Sequence, residues 1–280
     1  MKLCRYGPAG SEKPGLIDTD GQLRDLSAHV ADLDAAAYDI ANLARLAALD
    51  PKSLPSVEGT PRLGAPISRP GHFIAIGLNY ADHAAEAGLP IPAEPVVFSK
   101  APSCLNGPND DVIIPNGSTK LDWEVELAFV IGRRAWQVDE AAALSHVAGY
   151  TVCNDISERA WQIEGTGQWI KGKSAPTFGP LGPWIVTADE IADPQALDLF
   201  LDLNGQRMQT GSTSTMIFSV ATIVSYLSRL MVLEVGDLIT TGTPPGVGMG
   251  RKPQLFLKPG DVMRLGIPGL GEQVQTVAAG

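Results

Sequence analysis

The ten residues 122–131 read DWEVELAFVI and form the clearest strand pattern in the chain. Successive side chains of a strand point to opposite faces, so the odd-numbered positions would make a wholly apolar face. Glu124 and Glu126 would lie together on the other face, which continues as Ala128 and Val130. Two buried neighbouring carboxylates repel and lose water, and a bound cation would offset both effects. From these residues alone, an exposed edge with two solvated glutamates and a metal site both stay open.

Short apolar runs on both sides of this strand alternate with turn residues. They predict strands over 73–77, 95–98, 238–241, 254–257 and 262–267, and an amphipathic helix over 217–230. Gly (30 residues) and Pro (22 residues) are frequent, which favours many short strands over long helices. The pattern therefore predicts an α+β, strand-rich chain.

The first 65 residues predict a small separate unit. Apolar residues flank Asp20-Gly21, which is typical of a hairpin turn, and an Ala-rich helix is predicted over 34–49. Five prolines between 51 and 70 then indicate a linker. We expect a small N-terminal α+β domain with its linker over 1–65 and a larger strand-rich domain over 66–280.

The charge balance excludes some classes of partner. The chain of 280 residues has a formal net charge of −10, which argues against nucleic acid and anionic membranes as main partners. Its three cysteines form no CxxC pair, and the N-terminus lacks the apolar segment of a signal peptide. The charge-free stretch 208–228 is rich in Ser and Thr and does not resemble a membrane span. We expect a cytoplasmic protein with no membrane association.

Two further groups of side chains could carry chemistry. Asp155 ends an apolar run and would add a third carboxylate to Glu124 and Glu126, giving an oxygen-ligand site suited to Mg²⁺, Mn²⁺ or Ca²⁺; a helix N-cap is the alternative role of Asp155. On a short helix, His83 and Glu86 would lie three residues apart and touch. Such a pair is either a general base that activates water or an ordinary surface pair.

Two Gly-containing loops complete the candidates. Residues 167–174 match the phosphate-loop pattern GxxxxGK[ST], but the prolines at 176, 180 and 183 exclude the helix that this loop requires. Lys173 could instead stabilise an oxyanion or lie on the surface. The Gly/Pro-rich loop 240–248 could bind a carboxylate through its N–H and hydroxyl groups or form a plain turn.

Taken together and in order, six motifs resemble the fumarylacetoacetate hydrolase superfamily. They are GLNYADH at 77–83, DWEVEL at 122–127, NDIS at 154–157, KGKS at 171–174, MIFS at 216–219 and GDLITTGTPPGVG at 236–248. The resemblance covers about residues 66–275. The N-terminal part is similar to bacterial members of this length, which include 2,4-diketo-3-deoxy-sugar-acid hydrolases of L-fucose and L-rhamnose breakdown and proteins described as ureidoglycolate lyases.

The resemblance implies a mixed β-roll catalytic domain, a homodimer and one divalent ion per subunit, Mg²⁺ first and Mn²⁺ or Ca²⁺ as alternatives. The metal ligands that it implies are Glu124, Glu126 and Asp155. The catalytic residues that it implies are His83 and Glu86, on a segment that often acts as a lid, and Lys173. The substrate contacts that it implies are Tyr80, Gln162 and Thr243. The chain departs from some acylpyruvate hydrolases at Leu78, where they carry arginine, which leaves the substrate open.

The implied activity is metal-dependent hydrolysis of a carbon–carbon bond in a small 2,4-diketo acid, with release of pyruvate and a second acid. A 2,4-diketo-3-deoxy sugar acid, such as the L-fuconate or L-rhamnonate derivative, is the favoured substrate. Trp169 and the segment 84–95 are expected to shape the pocket for the acyl group. Decarboxylation of oxaloacetate-like acids, ureidoglycolate lyase activity and a binding protein with an inactive site are the alternatives.

Overall fold

A computed structural model describes residues 1–88 and 90–280, with Ala87 described by its backbone only. The strands, numbered in chain order, are β1 (Lys2–Tyr6), β2 (Lys13–Ile17), β3 (Leu23–Asp25), β4 (Leu63–Gly64), β5 (Phe73–Gly77), β6 (Val96–Lys100), β7 (Leu105–Asn106), β8 (Val112–Ile114), β9 (Leu121–Asp122), β10 (Val125–Ile131), β11 (Val147–Asn154), β12 (Ser157–Glu158), β13 (Gly179–Thr187), β14 (Asp198–Leu203), β15 (Gln206–Ser212), β16 (Leu238–Thr240), β17 (Val262–Ile267) and β18 (Gly271–Ala279). The helices are α1 (Ile40–Ala47), α2 (Ala81–Ala87), α3 (Glu140–Ala143), α4 (Arg159–Ile163), α5 (Ile170–Lys173) and α6 (Val220–Leu230). The α+β, strand-rich prediction is confirmed.

The larger sheet has the strand order β3-β2-β1-β13-β11-β10-β16-β5-β6, with β4 beside β1 and β7 beside β13. Most pairs are antiparallel, but β16 runs parallel to β5, and β7 parallel to β13. The strand β10 lies inside this sheet, between β11 and β16. The strand predicted from the stretch 122–131 is interrupted at Trp123 and Glu124, which separate β9 from β10. The part that forms β10 occupies a central strand, not an exposed edge.

The core forms around β10 because its side chains are buried on both faces. The predicted apolar face is inaccessible to solvent at every position: Trp123, Val125, Leu127, Phe129 and Ile131 are all 0% exposed. Burial of each such side chain contributes about 1.5–3 kcal/mol. Glu126 thus lies on a strand that is buried on both faces, and Glu124 directly precedes that strand.

A second sheet, ordered β15-β14-β17-β18-β8, contributes to the same core. Its buried amide side chains reach across to the larger sheet. Gln209 accepts a hydrogen bond from the Val125 N–H at 3.0 Å, and Gln275 accepts one from Asn154 Nδ2 at 3.0 Å. Gln209 thus takes the hydrogen bond of the first residue of β10, so the second sheet holds the end of β10 next to Glu124.

The N-terminal residues extend the larger sheet. The predicted hairpin is present as β2 and β3, and β1 pairs with β13, with Leu3 opposite Ile185. Leu16 and Leu26 belong to the same apolar cluster as the β10 side chains. The division of the chain at residue 65 stays a prediction.

Two further sequence expectations are corrected. The helix predicted over 34–49 is interrupted at Asp39, whose side chain instead caps α1 by accepting from the Ala41 N–H at 2.9 Å. Residues 254–257 form no strand, because their backbone bonds go to scattered partners: the Leu255 N–H to Gly248 and the Leu257 N–H to Leu121. Among the described residues, no helix has both the length and the apolar character needed to cross a membrane.

Candidate functional site

The register of β10 against β11 brings together the three carboxylates that the sequence singled out. Val125 lies opposite Asn154, and the Asp155 N–H donates to the Glu124 carbonyl at 2.9 Å. One carboxylate oxygen from each of Glu124, Glu126 and Asp155 lies within 4.8 Å of the others. All three side chains are buried, which excludes the reading of Glu124 and Glu126 as solvated edge residues.

Three buried cations surround this carboxylate cluster. Lys173 Nζ donates to Glu124 Oε2 and to Asp155 Oδ2, both at 2.6 Å. Lys100 Nζ donates to Asp155 Oδ1 at 2.5 Å, and Arg159 Nη2 donates to Glu124 Oε1 at 2.7 Å. Burial alone would raise the pKa of Glu124, but the charges of Arg159 and Lys173 outweigh it and lower the pKa well below its usual range. Glu124 is therefore held ionised.

Glu126 has a different environment. Its Oε2 accepts the Gly242 N–H at 2.9 Å, and no Lys, Arg or His in the described part of the chain forms an ion pair with it. Burial, followed by the charges of Asp155 and Glu124, raises the pKa of Glu126 well above its usual value. Glu126 thus lacks the paired cation that Glu124 and Asp155 each have.

These residues fit a divalent cation. A cation beside Glu126 would supply the missing positive charge, and each carboxylate oxygen has a second lone pair beyond the one used by a lysine or arginine. An all-oxygen donor set is the kind preferred by Mg²⁺, Mn²⁺ and Ca²⁺. Glu124, Glu126 and Asp155 would hold the ion.

Three functional residues were missed by the sequence reasoning: Asp122, Arg159 and Lys100. Asp122 accepts from Arg159 Nε at 2.8 Å and from the N–H groups of Gly248 and Met249 at 2.7 and 3.0 Å. A signal for Arg159 was its place three residues before Gln162 on α4, where its Nη1 donates to Gln162 Oε1 at 2.9 Å. Lys100 is the last residue of β6, and such a position can equally hold a surface lysine.

His83 and Glu86 lie on α2 at the wall of the cavity. His83 Nδ1 is 3.1 Å from Glu86 Oε2, and the Gly246 N–H donates to Glu86 at 3.1 Å. An ionised carboxylate only accepts hydrogen bonds, so Nδ1 is the donor to Glu86, and in a neutral imidazole this leaves the lone pair on Nε2. The histidine side chain is 13% exposed. The arrangement suits a base that reaches a substrate inside the cavity.

The loop after β16 is fixed by buried hydrogen bonds. The Thr243 hydroxyl donates to the Val125 carbonyl at 2.9 Å and accepts from Gln209 Nε2 at 2.8 Å. Its one proton is therefore engaged inside the protein, although Thr243 lines the cavity. The role of Thr243 in contacting substrate stays a prediction.

The other predicted substrate contacts lie in different surroundings. Gln162 is buried and lines the cavity. Tyr80 is fully buried and is not among the lining residues, and its hydroxyl has no hydrogen-bond partner within the described chain. Gly172 allows α5 to approach α4, since a Cβ there would lie 2.5 Å from the Gln162 nitrogen. This close approach is what brings Lys173 to the carboxylates.

One cavity of about 750 Å³ is lined by the three carboxylates of the cluster, the α2 pair, Arg159, Gln162, Lys173 and Thr243. Lys100 and Asp122, like Tyr80, are not among its lining residues. Its middle is apolar, with Ile76, Phe98 and Trp169 on the walls, and the rings of Phe98 and Trp169 meet edge to face at 5.2 Å. Of the segment 84–95, Glu86 and Gly88 line the cavity, and Leu89 lies outside the described residues. The catalytic residues suggested by the sequence, His83, Glu86 and Lys173, all line this cavity with the three carboxylates.

Comparisons with known proteins agree with this geometry. A protein of Burkholderia multivorans that bears only the general name hydrolase is 62% identical over 280 residues, which is 100% of this chain and 99% of that protein. The 5-carboxymethyl-2-hydroxymuconate delta-isomerase of Mycobacterium smegmatis has a similar structure, with a TM-score of 0.80, 32% identity and 100% of both chains covered. The maleylpyruvate hydrolase of Sphingobium sp. SYK-6, solved with manganese(II) and pyruvate, has a TM-score of 0.83 and 28% identity, again with 100% of both chains covered.

One family profile matches most of the chain. The profile described as "Fumarylacetoacetate (FAA) hydrolase C-terminal" matches residues 72–278. That range includes the carboxylate cluster, its three cations and the α2 pair. The predicted β-roll fold of this type is confirmed by the profile and by the structural neighbours. The chain belongs to the fumarylacetoacetate hydrolase family.

Proposed function

We propose that this protein is a metal-dependent hydrolase that cleaves a carbon–carbon bond of 2,4-diketo acids and releases pyruvate with a second acid. One observation carries the proposal: a three-carboxylate cluster and an oriented His83–Glu86 pair face the same cavity. A 2,4-diketo acid needs both, because its adjacent oxygens can chelate a divalent ion while a separate base activates water.

Held by Glu124, Glu126 and Asp155, a divalent ion would polarise the carbonyl oxygens and favour the enolate form of the leaving group. His83, oriented by Glu86, takes a proton from a water molecule at Nε2, and that water adds to the C4 carbonyl. The C3–C4 bond then breaks, its electron pair passes to the pyruvate enolate, and protonation at C3 by His83 completes the cycle. The hydroxyl group of the water thereby ends in the second acid, and its proton ends at C3 of pyruvate.

Lys173 has a separate task in this scheme. Two of its N–H bonds go to Glu124 and Asp155, and the third is available, among the described residues, for a developing oxyanion. An ammonium aimed at that charge in a buried site lowers the barrier. Within the reaction class, the sequence motifs favour a 2,4-diketo-3-deoxy sugar acid of the L-fuconate or L-rhamnonate type, and this choice is part of the proposal.

The similar isomerase from M. smegmatis makes isomerisation the second candidate. The test is ultraviolet decay of a panel of acylpyruvates, diketo-deoxy sugar acids, oxaloacetate and ureidoglycolate, with metal-stripped protein before and after addition of Mg²⁺ or Mn²⁺. Metal-dependent loss of the diketo chromophore with equimolar pyruvate supports the hydrolase. Loss of the chromophore with all carbons kept in one product indicates an isomerase, turnover of oxaloacetate alone indicates a decarboxylase, and urea from ureidoglycolate alone indicates a lyase.

A matched pair of variants separates the base from general stability. His83→Asn should reduce turnover at least about a hundredfold, because general-base catalysis contributes factors of that order. His29→Asn, on the half-buried N-terminal segment away from the cavity, should leave turnover unchanged. Full activity of the His83 variant would contradict the proposed role.

A further inference from the structure

The buried carboxylate of Asp122 has no part in the proposed chemistry. It does not line the cavity, and it accepts four hydrogen bonds inside the protein. Its Oδ1 accepts from the N–H groups of Trp123 and Gly248 at 2.9 and 2.7 Å, and its Oδ2 accepts from Arg159 Nε and the Met249 N–H at 2.8 and 3.0 Å. An ionised carboxylate has about four acceptor sites, so those of Asp122 are filled by the protein itself. Asp122 therefore connects parts of the site.

On one side, Asp122 holds the carboxylate cluster. Arg159 donates from Nε to Asp122 and from Nη2 to Glu124 Oε1 at 2.7 Å. A guanidinium group is a planar, rigid fork, so the bond that fixes Nε also fixes the direction of Nη2. All three side chains are buried. The orientation of the Glu124 carboxylate therefore depends on Asp122.

On the other side, Asp122 holds the backbone of the segment 246–250. The N–H groups of Gly248 and Met249 each donate to one of its two oxygens. The segment is closely packed at this point, because a Cβ at Gly248 would lie 1.9 Å from the carbonyl oxygen of Leu255. The Gly248 carbonyl also accepts the Leu255 N–H at 3.0 Å. The segment is thus fixed next to Asp122.

The same segment holds Glu86 of the α2 pair. The Gly246 N–H donates to Oε1 and Oε2 of Glu86, both at 3.1 Å. A Cβ at Gly250 would lie 3.0 Å from Glu86 Cδ, so the backbone of the segment lies directly against this carboxylate. Glu86 in turn accepts from His83 Nδ1 at 3.1 Å. The direction of the imidazole therefore depends on where the segment 246–250 lies.

We propose that Asp122 is a positioning residue that couples the carboxylate cluster to the His83–Glu86 pair through the segment 246–250. Asp122 forms no hydrogen bond with either residue of the pair in the described part of the chain, so the coupling passes through the backbone between them. The inference rests on the proposed function, in which a bound ion and a base act on one substrate and must be held at a fixed separation.

Hydrogen exchange resolved to single amides tests the coupling in the metal-free protein, without substrate. Asp122→Asn keeps the size of the side chain but replaces one acceptor oxygen by an NH₂ group, so it should release part of the segment. The Gly246 N–H is the reporter, because its bond goes to Glu86 and not to Asp122. We expect its exchange to become at least about tenfold faster, the factor that corresponds to loss of one hydrogen bond to a charged group.

Asp18→Asn is the matched control. Asp18 is also a buried aspartate that accepts from two backbone N–H groups and from an arginine Nε, that of Arg24, but it lies outside the cavity. Its replacement should leave exchange at Gly246 unchanged. The amides of β18 report opening of the whole protein. No acceleration at Gly246 in Asp122→Asn, or an equal acceleration in β18, would overturn the coupling.

Glu86→Ala tests the coupling from the other side and covers the case in which Asp122→Asn does not fold. The Glu86 side chain is 25% exposed, so its removal leaves the core intact. Energetic coupling between two sites is reciprocal. Loss of the Glu86 carboxylate should therefore accelerate exchange of the Met249 N–H, whose bond goes to Asp122. Unchanged exchange at Met249 would overturn the coupling.

Turnover reports on the positioning role separately. Asp122→Asn should lower kcat for pyruvate release about tenfold or more, and in a Glu86→Ala background it should cost markedly less, since the group that it positions is gone. Equal losses in both backgrounds would overturn the positioning role. Exchange coupling in a protein that hydrolyses no diketo acid would reject the hydrolase and keep the coupling. Hydrolysis without exchange coupling would do the reverse.

Discussion

Replacement of Lys100 by methionine tests the charge balance of the site most directly. Lys100 is 1% exposed, and its ammonium donates to Asp155 Oδ1 and to the Lys173 carbonyl, both at 2.5 Å, and to the Ile156 carbonyl at 3.4 Å. Burial opposes its charge, but Asp155 raises its pKa above the usual value. The side chain is therefore an ammonium that holds a carboxylate and a backbone segment of the site.

The size of the effect follows from what the substitution leaves behind. Methionine preserves most of the side-chain volume, so the loss is mainly electrostatic. Removing one partner of a buried ion pair costs about 3–5 kcal/mol, and an unsatisfied buried carbonyl costs about 1–3 kcal/mol. Asp155 keeps its bond to Lys173, which compensates in part. We expect Lys100→Met to lower the free energy of unfolding by about 3–5 kcal/mol.

Urea unfolding in the presence of a chelator measures this loss without a contribution from metal. The control is Lys120→Met, because Lys120 pairs with Glu164 on the surface, with side chains 37% and 56% exposed, and such a pair contributes less than about 1 kcal/mol. In an Asp155→Asn background, Lys100→Met should cost markedly less, since no buried carboxylate is left without its cation. Equal losses for Lys100→Met and the control, or equal losses in both backgrounds, would refute the reasoning.

Three further predictions concern other parts of the chain. Glu126→Gln should weaken Mn²⁺ binding at least about tenfold in titration calorimetry, while Glu234→Gln on the surface should not; unchanged affinity in the first variant rejects the ligand assignment. Gly172→Ala should lower the free energy of unfolding in urea by about 1–3 kcal/mol. The new Cβ would lie 2.5 Å from the Gln162 nitrogen in α4 and 2.5 Å from the carbonyl oxygen of Glu158, the residue before α4. An unchanged urea midpoint would contradict this. Burial opposes ionisation of Glu12, but hydrogen bonds from Arg62 and from its own backbone, with the charges of Arg5 and Arg62, lower its pKa. The stabilising contribution of ionised Glu12 should thus be complete above its unfolded-state pKa of about 4.3 and decline as the pH falls below that value. The free energies of unfolding of wild type and Glu12→Gln should therefore converge in acid, and a constant difference between them would contradict this prediction.

The strongly patterned elements were predictable from the sequence. The strands at 73–77 and 262–267 have the expected bounds, because alternation and flanking turn residues define them locally. The carboxylate cluster was predictable for a related reason. Glu126 lies on β10 and Glu124 directly precedes it, and Asp155 ends the apolar run that pairs with that strand.

The cations of the site were not predictable in the same way. Lys100 and Asp155 are 55 residues apart in the chain, and Arg159 and Asp122 are 37 apart. No local pattern distinguishes a lysine that turns inward from one that lies on the surface, since only the tertiary fold decides its partner. The engaged hydroxyl of Thr243 likewise depends on Gln209, which comes from the second sheet.

The register of β10 has a consequence for how this chain can change. A deletion of one residue within Val125–Ile131 would exchange the two faces of the strand and turn the glutamate side of the strand toward the apolar core. Folding and reactivity are thus encoded by the same few residues and would be lost together. Residues 249–254 line the cavity but form no strand. Substitutions in this segment can therefore change the cavity wall without shifting the register of β10.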